Sequence, residues 1–357
     1  MLEIKELKRA DSEWDKRVLE SDGSFYQTIS YSKYLEKALG MELIYLVVKN
    51  KEEIVGQMVF HFGPRFAKYL KNRNRITFKI VSRFLKTGYS IRGPTIINNN
   101  YKKEIYSMII EYLDEKFKKS GFMIQDWSLP INEEEWAHQL FYDKGFYSDS
   151  WGTIVVNTTK AEEELWKNLK KSRRNIVRRG INLGLKVKEA RTKKDYDMVI
   201  SIIKETSKRN NIFFHPQRYY RTLFDILSKK EMSKTFFIEE KGKGVATITM
   251  YLFGRRAIQT MVAHSDYSLQ NQIPGTDFLE WHNIKWCHDN GYLTYDLAGI
   301  RPDSSDKKDI SLKEYKQRWG GDIIRYPYFS KEYSKSKKGF VNKLMKVKRF
   351  LVKLSSG

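Results

Sequence analysis

The residues best suited to chemistry lie between Gly291 and Gly321, GYLTYDLAGIRPDSSDKKDISLKEYKQRWGG. Leu293 to Leu297 reads as a buried strand. It runs into a loop rich in Gly, Pro, Ser and Asp, and ligand-binding loops of α/β sheets sit at such strand ends. A short helix follows with Lys313, Lys316 and Arg318, then Trp319-Gly320-Gly321. A second candidate is Asn271 to Asp277, NQIPGTD, ahead of a helix expected from about Thr276. Backbone N–H groups at a helix N-terminus, with Gly275 allowing close approach, can hold a phosphate or a developing oxyanion. The same residues also read as a Pro-Gly turn with Thr276 or Asp277 as the N-cap. The third is Trp166 to Gly184, WKNLKKSRRNIVRRGINLG, where Lys167, Lys170, Lys171, Arg173, Arg174, Arg178 and Arg179 occur with no acidic residue between 167 and 179. Helical spacing turns Leu165, Leu169, Ile176 and Ile181 toward a core and most cations away from it. That is a solvated basic face or, because so many unbalanced cations exceed what solubility requires, a surface for RNA phosphates.

The charge belongs to a few segments. The 357 residues hold 66 Lys+Arg against 43 Asp+Glu, a formal +23 that favours nucleic acid, anionic lipid or phosphorylated substrates. Residues 65–92 carry nine basic side chains and no acidic one, and 331–357 carry nine against Glu332 alone. Within that tail Phe340, Leu344, Val347 and Leu351 recur at helical spacing among Lys343, Lys346, Arg349 and Lys353. This basic amphipathic helix either docks its apolar stripe on the protein or lies on an anionic membrane. A composition of 41% apolar and 14% aromatic residues argues against disorder and against a fibre. The start, MLEIKELKRADSEWDKR, has no apolar signal core, and no run approaches the roughly 18 apolar residues of a spanning helix. A cytoplasmic chain, or one peripheral at the inner face of the membrane, is expected. Cys287 stands alone, which leaves no intramolecular disulfide and no cysteine metal cluster. The histidines, at 61, 138, 215, 264, 282 and 288, include no i, i+4 pair to face a metal.

At about 150 residues per domain the length fits two, with a cleft between them. In the first half a helix at 30–39, strands at 42–48 and 54–62, a loop at Gly93-Pro94, a helix at about 101–119 stopped by Gly121 and a strand from Phe122 to Asp126 are expected. The second half repeats that order: helices near 161–179, 194–209 and 216–229, a meander at 234–240, 244–253 and 256–263, a helix at 276–290 and the strand 293–297. Helices, a meander, a further helix and a further strand is the order of the GNAT acyltransferase fold. The expected class is therefore α/β (α+β), with two tandem GNAT-like domains. Gln272 and Gly275 nearly match the coenzyme A pyrophosphate loop of GNAT enzymes, but Asp277 takes its last position, where a carboxylate would repel pyrophosphate.

The order of motifs resembles the Fem-type (FemXAB) peptidyltransferases. Tyr295-Asp-Leu-Ala-Gly299, an acidic loop and LKEYKQRWGG resemble that family's Y-D-F-G-G, loop and F-K-x-x-W/F-G. Phe25-Tyr-Gln27 with Tyr31-Ser-Lys33 resembles its F-x-Q…W-x-K element, and Gly88 to Pro94 its Y-x-x-R-G-P loop. Trp166, Leu169, Arg174, Val177, Arg178 and Gly184 follow its W-x-x-L…R-x-x-I-R element with small shifts, and Pro274-Gly275 with Leu279 and Trp281 its helix entrance. The resemblance implies two GNAT-like domains, residues 1–152 with about 325–357, and 153–324. It implies transfer of an amino acid from aminoacyl-tRNA to an amine of a nucleotide- or lipid-linked cell-wall (peptidoglycan-type) peptide precursor, with no metal or other cofactor. Carried over by motif, Lys316 is the cation at the carbonyl or oxyanion, and Asp126 orients or deprotonates the amine. Lys33 contacts the precursor's diphosphate, with Arg218 or Arg221 as a second phosphate contact. Arg92, Gly93, Gly275, Tyr295 and Asp296 line cleft loops, and Lys170, Lys171, Arg173, Arg174, Arg178 and Arg179 face tRNA. The 65–92 segment would meet the phosphorylated acceptor or membrane, and the tail the membrane. Lys33 and Lys316 as surface helix residues, and Asp126 as a strand-end cap, are the plainer alternatives. Leu297 and Ala298 replace the family's aromatic and first glycine, and the coiled-coil arm of some members is absent. A GNAT-like N-acyltransferase using acyl-CoA on an amino sugar or polysaccharide intermediate is the competing function.

Overall fold

The computed structural model describes residues 1–64, 86–120, 123–130, 135–336 and 339. The basic run as far as residue 85, the helix stop at Gly121 and the amphipathic segment from Phe340 lie outside them. The chain forms two compact units. One comprises the described residues of Met1–Ser32, Gly40–Asp149 and from Pro327 onward; the other comprises Lys33–Leu39 and Ser150–Tyr326.

The first unit begins with β1 (Leu2–Leu7), α1 (Trp14–Glu20) and the first turn of α2 (Ile29–Leu39). β2 (Glu42–Asn50) and β3 (Glu53–Pro64) form a hairpin whose turn places Lys51 at φ 55°. β4 (Lys86–Ile91) extends this antiparallel meander, and the short β5 (Thr95–Ile96) pairs with β3. α3 (Lys102–Ser120) then crosses to β6 (Ile124–Ser128), which lies parallel to β4. α3 repeats apolar residues at 105, 106, 109, 110, 113 and 117, all fully buried on a core that includes Leu46, Val48, Met58, Phe60 and Trp127. Burial of each large side chain contributes about 1.5–3 kcal/mol, so this stripe fixes the helix on the sheet. α4 (Glu135–Asp143) adds Ala137 and Phe141 to the core, and the C-terminal part of β13 (Asp322–Glu332) pairs antiparallel with β6.

The second unit holds most of β7 (Tyr147–Asn157), α5 (Glu162–Asn168), α6 (Lys171–Asn182), β8 (Val187–Glu189), α7 (Lys193–Arg209) and α8 (Gln217–Ile226). Next come the meander β9 (Ser233–Glu240), β10 (Lys243–Phe253) and β11 (Arg256–His264), then α9 (Asp266–Gln270), α10 (Gly275–Asp289), β12 (Thr294–Ile300) and α11 (Lys307–Gln317). Its strand order is β7-β12-β11-β10-β9-β8, antiparallel except for β11 with β12. A meander, a helix and a parallel strand thus occur in both units, the duplicated α/β arrangement expected from the sequence. The β11–β12 ladder runs only from Arg256/Thr294 to Ile258/Asp296. Beyond it the two strands part.

The helix expected over 161–179 is two helices. Leu169 (ψ 140°) and Lys170 (ψ 144°) are extended between them. Leu169 is buried in the core, and the Lys170 N–H bonds to the Arg318 carbonyl at 3.0 Å, so a tertiary contact takes the place of an intrahelical bond. Val177, not Ile181, completes the buried stripe; Ile181 is 57% exposed. Among the described residues, no helix is long and apolar enough to cross a membrane.

Candidate active site

Tyr295 and Leu297 are buried in the core, which places Asp296 between them on the opposite face of β12. The Asp296 carboxylate accepts the Ala298 N–H at 2.7 Å and the Thr153 hydroxyl, and so folds the strand end back on itself. Ala298 takes φ 64°, at the place where the Fem-type signature has its first glycine. Lys316 on α11 meets this turn, its Nζ donating to the carbonyls of Ala298 at 3.1 Å and Gly299 at 3.0 Å. The ammonium is half-buried. Burial pushes its pKa down, against the opposing pull of the Asp296 and Glu280 carboxylates.

An L-residue held in the left-handed region costs about 1–2 kcal/mol, whereas glycine adopts that region freely and loses somewhat more entropy on folding. Ala298→Gly should therefore raise the urea midpoint, with a net gain of about 1 kcal/mol. An unchanged or lower midpoint would mean that the turn relaxes around the methyl group at no cost.

Behind Lys316 lies a cluster that the sequence reading missed. Glu280, 1% exposed on α10, accepts Gln259 Nε2 at 2.9 and 2.8 Å on its two oxygens. Gln259 Nε2 also lies 3.0 Å from the Tyr295 hydroxyl, which Asn283 approaches at 3.4 Å. The signal was present: Glu280 is in helical phase with the buried Ile284 and Cys287, an acidic residue on an apolar stripe. Burial pushes the Glu280 carboxyl up to about 7, opposed by hydrogen bonds from Tyr295 and Gln259 and by the Lys316 charge. Because that folded-state value lies above the ordinary 4.5, the neutral carboxyl favours the fold at low pH, and this contribution is lost as pH rises through about 7. Glu280→Gln should leave stability nearly unchanged at acid pH and exceed the native protein above neutrality, by on the order of 2–3 kcal/mol. Parallel stability curves for the two proteins from pH 4 to 9 would contradict a raised Glu280.

At the N-terminus of α10 the expectation changes. A Cβ on Gly275 would lie 2.6 Å from Val245 Cγ1 and 2.8 Å from Ala246 Cβ. The missing side chain thus serves close packing of α10 on β10. Asp277 in the first helical turn is ion-paired with Arg173, whose side chain is 9% exposed. Arg173 therefore departs from the solvated tRNA face on which the run places it, because its guanidinium finds both a carboxylate and the rings of Tyr315 and Trp319 inside. Arg174 is also engaged, donating to the carbonyls of Lys167 at 2.9 Å and of Leu169. Lys170, Lys171, Arg178 and Arg179 remain on the exposed face, with Arg178 lying 5.5 Å over the Trp166 ring.

Lys33 is exposed on the part of α2 that belongs to the second unit. Arg218 on α8 reaches the same helix, donating to the Ala38 carbonyl at 3.3 Å, with Tyr34 and Tyr219 in ring contact at 5.3 Å. Arg221 turns to Asp197 at 2.9 Å instead. The first unit holds the remaining candidates. Gln27, fully buried, accepts the Val59 N–H at 2.9 Å and donates to Ser90 Oγ at 3.2 Å and to the Ile91 carbonyl at 3.0 Å. It thereby fixes the strand that delivers Arg92 (φ 53°) and the cis Gly93–Pro94 peptide. Asp126 lies on the neighbouring strand, in register with Tyr89, is 4% exposed and accepts the Ser330 hydroxyl.

The FemAB family model matches residues 144–238. Among solved structures, FemX has the same fold at 14% identity, with a TM-score of 0.70 over 91% of this chain and 96% of that one. A tandem GNAT protein from the clavulanic acid biosynthesis pathway aligns at 10% identity and TM-score 0.57, over 94% of this chain and 100% of its own. L-PGS from Bacillus licheniformis aligns at 12% identity and TM-score 0.55, over 91% and 93%. No curated protein matches the sequence.

Proposed function

From a FemAB family segment set in a FemX-like fold, which together support a Fem-type, GNAT-like family for this chain, we propose an acyltransferase that moves an amino acid from aminoacyl-tRNA to an amine of a cell-wall peptide precursor. The observation that carries this reading is the Lys316 ammonium, half-buried against the carbonyls of Ala298 and Gly299 where β11 and β12 part. The acceptor amine attacks the ester carbonyl, a tetrahedral oxyanion forms, the C–O bond to the ribose breaks and the hydroxyl leaves with a proton. A fixed cation beside the carbonyl stabilises the oxyanion more than the ester, which lowers the barrier. Lys316 takes that role. Asp126 orients the amine or receives its proton.

Lys33 and Arg218 are the proposed diphosphate contacts; Arg221, committed to Asp197, is the weaker of the two arginines. The exposed cations of the α5–α6 segment take the tRNA, and the basic segment beyond residue 339 is proposed to touch the anionic membrane that carries a lipid-linked acceptor. On this reading the two compact units are the two catalytic domains, and the reaction draws on no metal or cofactor.

The competing acyl-CoA reading needs an anion site at the start of α10. The Arg173–Asp277 pair fills that position with a carboxylate. Calorimetric titration separates the two readings. A non-hydrolysable aminoacyl-tRNA analogue is expected to bind and coenzyme A is not. Binding of coenzyme A alone would replace the first reading by the second.

A further inference from the structure

The hinge between α5 and α6 is in backbone contact with the end of α11. Besides the Lys170 to Arg318 bond, a Cβ on Gly320 would meet the Asn168 carbonyl oxygen at 2.9 Å. Arg173, in the first turn of α6, reaches inward from this junction. Its guanidinium carbon lies 4.8 Å over the Tyr315 ring and 5.8 Å from that of Trp319, while its Nη1 donates to Asp277 on α10. Tyr315 and Trp319 flank Lys316 in sequence, and at the other side of the helix Lys313 Nζ bonds to the Pro302 carbonyl at 2.8 Å. One planar cation therefore joins α6 and α10 to α11, the helix that carries Lys316. A guanidinium suits this place because its plane stacks on a ring while its edge pairs with a carboxylate; an ammonium has no planar face to stack.

We propose that Arg173 is a positioning residue: through Asp277 and the rings of Tyr315 and Trp319 it holds α11 so that Lys316 stays on the carbonyls of Ala298 and Gly299. The proposal rests on the role given to Lys316 above. Hydrogen bonds of 3.0–3.1 Å leave little room for movement, and a displacement of about 1 Å at the reacting cation is enough to remove much of its effect. The charged groups facing Lys316 are Asp296 from β12 and Glu280 from α10. Asp277 acts in turn on the Glu280 carboxyl, so the midpoint is also read in Arg173→Lys, which keeps the Asp277 charge.

The test compares Arg173→Lys with the double variant Arg173→Met/Asp277→Asn. The double variant removes both charges, because Arg173→Met alone strands the half-buried Asp277 carboxylate and can fail to fold. Three quantities are read: the melting temperature, the pH midpoint of Lys316 acetylation by acetic anhydride, followed on its peptide by mass spectrometry, and single-turnover transfer. The double variant is expected to melt near the native temperature while the Lys316 midpoint rises toward the ordinary lysine value, as burial of the ammonium is relieved. Transfer should fall about tenfold, at an unchanged half-saturating tRNA concentration, as expected for an interaction that acts only at the reacting centre. Arg173→Lys keeps the ion pair without the planar stack and should lie between. A native midpoint in the double variant would reduce the pair to charge compensation and overturn the proposal. If the double variant does not fold, Arg173→Lys decides by the same midpoint, an unchanged value overturning it. If native protein transfers from no aminoacyl-tRNA, the functional reading fails and the labelling midpoint still decides the positioning claim.

Discussion

Lys316→Ala is expected to leave a folded protein that transfers its aminoacyl group about 10²–10³-fold more slowly, the usual loss when one oxyanion-stabilising donor is removed. The fold should survive because Lys316 is half-buried at a helix end, and its two partners are carbonyls that water can reach once the ammonium is gone. The loss should appear in kcat, with half-saturation by tRNA nearly unchanged, since the cation acts on charge that exists only in the transition state. Lys316→Arg should not restore the rate. A planar guanidinium cannot place a compact charge between the carbonyls of Ala298 and Gly299. Native turnover in Lys316→Ala would remove the residue from the mechanism, whatever its neighbours do.

The second large effect concerns nucleic acid. Substituting Lys170, Lys171, Arg178 and Arg179 together by Gln should lower the logarithmic salt slope of tRNA binding by about 3, and weaken binding by about 10³-fold at low salt, because each lost phosphate contact ceases to release counterions. Arg173 and Arg174 are left in place, since one is ion-paired inside and the other holds backbone carbonyls. The control replaces the exposed Lys193, Lys204, Lys208 and Lys241 by Gln, the same change in net charge on other elements of the same unit. If both quadruple variants bind tRNA alike, the basic run contributes only to the general field of the protein.

The parts of the fold legible in the sequence are those whose signals are local. The meander β9–β11 shows as apolar runs broken at Lys241-Gly242 and Gly254-Arg255, and the buried stripe of α3 recurs at its proper period. β7 escaped because its first half, Tyr147 to Ser150, is exposed and polar, and β13 because Pro327 interrupts it. The break at Leu169–Lys170 has neither glycine nor proline to announce it. It follows from a bond to Arg318, far along the chain.

The site divides in the same way. Lys316 is singled out by a motif; that motif shows only an alanine at the family's first glycine, and the left-handed turn at Ala298 comes from the structure. The pairing of Arg173 with Asp277 spans 104 positions, so no local pattern could separate this one inward cation from its solvated neighbours. Asp277, read as an obstacle to pyrophosphate, takes part in holding the Lys316 helix. Glu280 is legible in the helical phase it shares with Ile284 and Cys287.

The most direct measurement is transfer itself. The protein is incubated with a mixture of radiolabelled aminoacyl-tRNAs and a panel of nucleotide- and lipid-linked peptide precursors, and label is followed into the acceptor. One class of amino acid is expected to move onto a precursor amine in an amide bond stable to mild base, and Lys316→Ala is expected to suppress that transfer. No transfer from any aminoacyl-tRNA, with acyl transfer from an acyl-CoA to an amino sugar under the same conditions, would contradict it.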